Sequence, residues 1–129
     1  MFRSVIAVIA GIVVLAASSF AIEVLVAPWK GGVASGANVW GGETAYTLLC
    51  VVLGGYVTSR IARRAPLAHA GVMGALELLF TIGAMVQLDQ TGRFTEWLPA
   101  ILLTIPASLA GGMLRGRQAA HAETAAAIR

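Results

Sequence analysis

Four long apolar stretches constrain the fold of this chain more than any other feature. They cover residues 5–27, 44–61, 67–88 and 97–114, and each approaches the roughly 20 residues that a helix needs to cross the hydrocarbon core of a bilayer. In lipid only α-helices and closed barrels satisfy every backbone polar group, and four strands cannot close a barrel. The sequence therefore predicts an all-α integral membrane protein, an up-and-down bundle of four transmembrane helices.

The composition supports a chain whose solvent is mostly lipid. Hydrophobic residues make up 58% of the chain and charged residues 12%, about half the charged fraction of a typical soluble domain. With 129 residues, there is room for a single four-helix domain over 1–129. The alanine-rich segment 117–129 is expected to be a cytoplasmic tail that either continues the fourth helix or lies beside it as a short helix.

The first apolar stretch also has features of a cleaved signal peptide. Arg3 precedes a hydrophobic core, and the sequence SFA at 19–21 imitates a cleavage site. However, the apolar run resumes after Glu23 and reaches full membrane length. We therefore expect a retained transmembrane helix.

The basic residues predict the orientation of the helices. Cytoplasmic loops carry an excess of Lys and Arg. In the loops after the first and third stretches, the only basic residues are Lys30 and Arg93. We therefore expect the other side, with both termini, to be cytoplasmic. The basic residues on that predicted side are Arg3, Arg60, Arg63, Arg64, Arg115, Arg117 and Arg129.

Tryptophans give an independent indication of the opposite side. Trp29, Trp40 and Trp97 all lie at ends of apolar stretches away from the arginine-rich loop. Tryptophan is enriched at the headgroup level of membranes. These three residues are predicted to anchor the outer interface.

Two carboxylates inside the apolar stretches are candidate functional residues, because a charge in the bilayer is costly. Glu77 is near the middle of the third stretch, whereas Glu23 is about one turn from the outer end of the first. We expect Glu77 to be protonated and to hydrogen-bond a hydroxyl or a backbone carbonyl. It could tie helices together, carry a proton or cation along a transport path, or contact a bound lipid, pigment or another subunit.

Small residues recur at four-residue spacing along the predicted helices. Such stripes let helix backbones approach closely where lipid provides no hydrophobic drive. We expect them to pack the bundle and also to contact partner subunits. The predicted packing or partner residues are Gly54, Gly55, Gly71, Gly74, Ser108, Gly111, Gly112 and Gly116.

The sequence contains no pattern typical of catalysis or of a bound cofactor. Motifs of the HExxH, CxxC, GxSxG and P-loop types are absent. The lone Cys50 is expected to be a small buried hydrophobe, and His69 an interfacial residue rather than a haem, chlorophyll or metal ligand. The arginines lack interleaved aromatics, so nucleic-acid binding is not predicted. We expect the chain to have no enzymatic activity and to bind no metal and no cofactor.

Two segments resemble a set of small bacterial membrane proteins with four predicted spans. GGYVTSRIARRAPLAHAGVMGAL at 54–76 is similar to their exit from the second helix, and WLPAILLTIPASLAGGMLRGR at 97–117 to their fourth helix. The resemblance covers about the last two thirds of the chain. It implies a multi-pass protein of the bacterial inner membrane, but no activity.

Together these observations lead to two hypotheses. The first is a non-enzymatic accessory or structural subunit, surrounded by lipid and packed against other integral membrane subunits of a larger complex. The second is a small homo-oligomeric transporter or channel that uses Glu77.

Overall fold

The computed structural model describes residues 2–26, 44–62, 65–87 and 94–127, and within these ranges the regular structure is entirely α-helical. Four helices follow one another: α1 (Phe2–Val26), α2 (Thr44–Ile61), α3 (Pro66–Gln87) and α4 (Phe94–Ala127). All four are long and apolar enough to cross a membrane. The prediction of an all-α chain with four such helices is confirmed.

Three of the helices differ from the predicted bounds by no more than three residues at either end. The fourth is much longer than predicted, because α4 has 34 residues and continues through the alanine-rich segment. Of the two arrangements expected for that segment, the structure shows the continuous helix. Alanine is the strongest helix former and no glycine or proline follows Gly116 in α4, so nothing in the sequence ends the helix there.

Consecutive helices run antiparallel. Residues 11 and 15 of α1 face Gly54 of α2, and Ser59 near the end of α2 bonds to Pro66 at the start of α3. In the second hairpin, Gly71 faces Leu109 and Gly74 faces Ser108 and Ile105. The helix directions therefore alternate along the chain.

Contacts between the helices follow a different order from the chain. The most extensive contact joins α2 to α4, followed by α1 with α2 and α3 with α4, whereas α1 and α4 scarcely touch. Around the bundle the order is thus α1, α2, α4, α3. The parallel helices α2 and α4 are neighbours, and α1 lies on the far side of α2 from α4.

The apolar core is small and centres on α2. Leu15, Cys50, Val51 and Met73 form a buried cluster, against which half-buried side chains of α1 and α4 pack. Cys50 is fully buried. Between 17% and 33% of the residues in the most apolar window of each helix are buried, so most residues of each window are at least partly exposed.

Candidate functional site

Glu77 lies on the stripe of α3 that faces the other helices. Met73 and Gly74, one turn earlier on the same stripe, are buried, and Glu77 itself is half-buried. Glu23, in contrast, is exposed on the outer face of α1. The structure thus separates the two carboxylates into an inward and an outward position.

Hydroxyl side chains lie at the level of Glu77 on two other helices. Because Gly74 faces Ile105 and the two helices are antiparallel, Thr104 is at about the height of Glu77. Gly54 contacts both Met73 and Leu15, so Ser18 of α1 is at a similar height. Residues from three helices therefore bring polar groups toward one level of the bundle.

These hydroxyls do not bond to the Glu77 carboxyl. Thr104 donates to the Ala100 carbonyl at 2.6 Å, and Ser18 donates to the Leu15 carbonyl at 3.0 Å. Within the part of the chain that the structure describes, no group forms a hydrogen bond with Glu77. Each of these hydroxyls is satisfied by a carbonyl of its own helix, so the hydrogen bond expected for Glu77 stays a prediction.

Ser108 joins three helices. Its side chain is fully buried, and its hydroxyl donates to the Ala70 carbonyl at 2.6 Å, with the Met73 sulfur at 3.5 Å. On the α2 side, its backbone carbonyl faces Gly55. A larger residue at any of these contacts would separate the helices, so Ser108 holds α3 and α4 against α2.

The glycines predicted to form packing surfaces differ in what surrounds them. Gly55 and Gly111 lie against backbone atoms of the opposite helix, Gly54 against Gly11 of α1, and Gly112 against Ser59. Gly116, however, has open space where a Cβ would project. Most of these residues therefore pack against other helices of the same chain and cannot also contact a partner subunit.

Two further packing residues lie between α1 and α2. Gly11 faces the Thr58 side chain and Gly54, and Thr58 is fully buried, its hydroxyl without a hydrogen-bond partner among the described residues. The four-residue spacing of Ala7 and Gly11 marks Gly11 as a packing residue in the sequence. No comparable pattern in the sequence marks Thr58, because its partner on α1 depends on how the two helices pack in three dimensions.

At the arginine-rich end of the bundle, α2 and α4 are joined by polar side chains. The Tyr56 hydroxyl donates to Oε1 of Gln118 at 2.8 Å. Arg60 and Arg117 are exposed, and Arg115 is half-buried. From the sequence these arginines are predicted to set orientation alone, and no pattern in the sequence marks the tyrosine–glutamine bond.

His69 stabilises the start of α3. Its Nδ1 lies 2.9 Å from the Ala65 carbonyl oxygen, which also accepts the His69 backbone N–H at 3.3 Å. Because a carbonyl oxygen only accepts, Nδ1 carries the proton. No group of three His, Cys, Asp or Glu that could bind a metal occurs among the described residues.

Several predicted anchors lie outside the described residues, and Trp97 is half-buried at the start of α4. The predicted anchors that the structure does not describe are Trp29, Trp40, Arg63 and Arg64.

No protein-family model matches the chain, and no curated protein and no solved structure is similar to it.

Proposed function

We propose that this chain is a non-enzymatic accessory subunit of a larger complex in the bacterial inner membrane, with both termini in the cytoplasm. Four helices long and apolar enough to span a bilayer support the multi-pass placement. The excess of arginine at one end supports the orientation. The interaction with partner subunits is supported by the shape of α4.

The observation that carries the accessory role is the extension of α4 past the ends of α2 and α3. Gly112 faces Ser59 in the parallel α2, so Ile61 at the end of α2 is level with about Leu114. The start of α3 is close to the same level, because Leu67 contacts Gly112. The thirteen residues of α4 that follow Leu114, or roughly 20 Å of helix, therefore project beyond the ends of α2 and α3.

This projecting segment offers small side chains to a neighbouring helix. Its side chains between 116 and 126 are mostly exposed, and alanine predominates among them. An isolated helix of this length is marginal in water. Packing against a partner subunit would stabilise it, and alanines allow a close approach.

Purification in a mild detergent tests the accessory role. We expect the tagged full-length chain to copurify with stoichiometric unlike subunits, and a variant that lacks residues 119–129 to lose them. Glu23→Gln, which changes an exposed residue at the other end of the bundle, should retain them. A chain that purifies alone as a symmetric oligomer would contradict the accessory role.

A second candidate function is a homo-oligomeric proton or cation transporter, and the inward position of Glu77 favours it. A carboxyl on the packed stripe of α3 with no hydrogen-bond partner in the described chain is free to bind a proton or a cation. Intramembrane carboxylates of this kind mark ion pathways in many membrane proteins.

Glu77→Gln separates the two candidates. If Glu77 is structural, the variant should assemble as the wild-type chain does, since Gln keeps the shape and the hydrogen-bonding capacity of protonated Glu. If Glu77 carries protons, proton flux into liposomes containing the purified chain should stop in the variant, and Glu23→Gln should leave that flux unchanged. If liposomes that contain the wild-type chain were no more permeable to protons than empty liposomes, proton transport would be ruled out.

A further inference from the structure

Four polar residues lie on facing stripes of α2 and α4 at the arginine-rich end of the bundle. Arg60 follows Tyr56 by one helical turn on α2, and Arg115 precedes Gln118 by almost one turn on α4. The Tyr56–Gln118 hydrogen bond joins the two stripes. We call the group of Tyr56, Arg60, Arg115 and Gln118 the seam cluster.

The seam cluster has an excess of unpaired donors. Neither Arg60 nor Arg115 forms an ion pair or a hydrogen bond with any residue of the described chain. Gln118 accepts the Tyr56 proton through Oε1, so its amide NH₂ remains free to donate. Two guanidinium groups and an amide therefore share one seam, and none of them donates a hydrogen bond to a described residue.

The surrounding charge leaves this excess uncompensated. By sequence, Glu123 is the sole acidic residue at this end of the chain's helices, against seven of the nine basic residues. Glu123 lies more than one turn beyond Gln118 along α4. The seam cluster is thus complementary to an anion and not to a cation or a neutral group.

The height of the seam cluster identifies the anion. Arg60 is in the last turn of α2, where an apolar helix passes into the headgroup region of a membrane, and Tyr56 is of the type enriched there. Arginine binds phosphate oxygens through its planar fork of N–H groups. Basic pockets between transmembrane helices on the cytoplasmic side bind anionic headgroups.

We propose that the seam cluster binds the phosphate of an anionic membrane phospholipid. Arg60 and Arg115 bind the phosphate oxygens, and the Gln118 amide donates to the same group or to the headgroup beyond it. Tyr56 fixes Gln118 in position through its hydrogen bond. The proposal rests on the membrane placement proposed above.

Phosphatidylglycerol titrated into the purified chain in detergent tests the site, with native mass spectrometry used to count bound lipids. We expect the wild-type chain to retain phosphatidylglycerol in preference to phosphatidylcholine. The double substitution Arg60→Gln/Arg115→Gln should weaken retention roughly ten- to thirtyfold, since each arginine near a headgroup contributes about one kcal/mol.

A charge-matched double variant, Arg117→Gln/Arg129→Gln, distinguishes a defined site from diffuse attraction. It removes the same number of positive charges from the side predicted to be cytoplasmic and should leave most of the retention intact. Equal losses in the two double variants would overturn the site, as would a wild-type chain with no preference between the two lipids. Tyr56→Phe, which keeps both arginines, should weaken retention to a smaller extent.

Inorganic phosphate provides the remaining comparison. At equal concentration it should not displace phosphatidylglycerol; displacement would show a site for a soluble anion instead. Failure of the membrane placement gives a different result, because the chain expressed in bacteria would then not sediment with the membrane fraction at all.

Discussion

Gly111 shows at the level of one residue how closely α2 and α4 approach. A Cβ at this position would meet the Val52 carbonyl oxygen and lie 2.7 Å from the Tyr56 nitrogen. These are backbone atoms and cannot turn aside as a flexible side chain would. The absence of a side chain at Gly111 is therefore what permits the main contact of the bundle.

Gly111→Ala is expected to destabilise the chain, with Gly116→Ala as its matched control. Added atoms in a packed contact cost about 1–3 kcal/mol, whereas a Cβ at Gly116 meets nothing within 4 Å and alanine favours helix by up to about 1 kcal/mol. Unfolding of both variants in increasing dodecyl sulfate measures the difference. If Gly111→Ala were as stable as Gly116→Ala, the close α2–α4 contact would be wrong.

Ala65 is strained at the start of α3. Its φ of 48° lies in the left-handed region, which alanine disfavours because of its Cβ. The residue after it is Pro66, which also disfavours the right-handed helical region at Ala65. The two bonds from His69 to the Ala65 carbonyl help to hold this conformation.

Ala65→Gly is expected to stabilise the chain or leave its stability unchanged. Glycine relieves up to about 1 kcal/mol of left-handed strain, partly offset by its greater entropy in the unfolded chain. Ala68→Gly, in the first turns of α3, should instead destabilise by up to about 1 kcal/mol. Thermal unfolding of the two variants in detergent compares them, and the same loss of stability in both would exclude a left-handed Ala65.

At the scale of the element, α4 combines a segment long and apolar enough to cross a membrane with a projecting arm. It passes through Pro99 and Pro106 without ending, and its 34 residues correspond to about 51 Å. The hydrocarbon core accounts for about 30 Å of that length. The Tyr56–Gln118 hydrogen bond is placed where the arm leaves the bundle.

Tyr56→Phe is expected to loosen the arm and leave the rest of the chain intact. Loss of one exposed hydrogen bond costs about 0.5–1.5 kcal/mol, so amide hydrogen exchange between 116 and 126 should accelerate about two- to tenfold. Exchange in α1 should not change. Tyr46→Phe supplies a control tyrosine at the far end of α2, and equal acceleration of the arm in that variant would argue against the Tyr56–Gln118 bond.

At the scale of the whole molecule, α2 is the helix on which the others assemble. It contacts each of the other three, and α1 reaches the bundle chiefly through α2. Cys50 lies at the centre of α2 and is fully buried. The cohesion of the chain therefore depends on the faces of α2 more than on any hairpin.

The orientation and the burial of Cys50 can be tested together by thiol labelling. In intact spheroplasts, a membrane-impermeant maleimide should label Ser35→Cys and not Ala126→Cys, both made in a Cys50→Ala background. Labelling of Ala126→Cys alone would reverse the proposed orientation. Cys50 in the folded wild-type chain should resist even a permeant maleimide until dodecyl sulfate unfolds it, since its side chain is inaccessible.

Much of the architecture could be predicted from the sequence because membrane spanning is a property summed over about 20 neighbouring residues. Residue-level hydropathy located all four helices, and the alanine-rich composition allowed for the extension of α4. The inward position of Glu77 and the contacts of the Gly-Gly pairs could not be predicted in this way, because they depend on which helices are neighbours.

Only the tertiary structure decided the order α1, α2, α4, α3 around the bundle and the residues that meet there. In lipid, apolar burial does not favour one helix pair over another, so close van der Waals contact and hydrogen bonds select the partners. Those depend on how the surfaces of two helices match in three dimensions. The sequence by itself determined where the helices lie along the chain; the fit of Gly55, Ser108 and Gly111 determined which helices pack together.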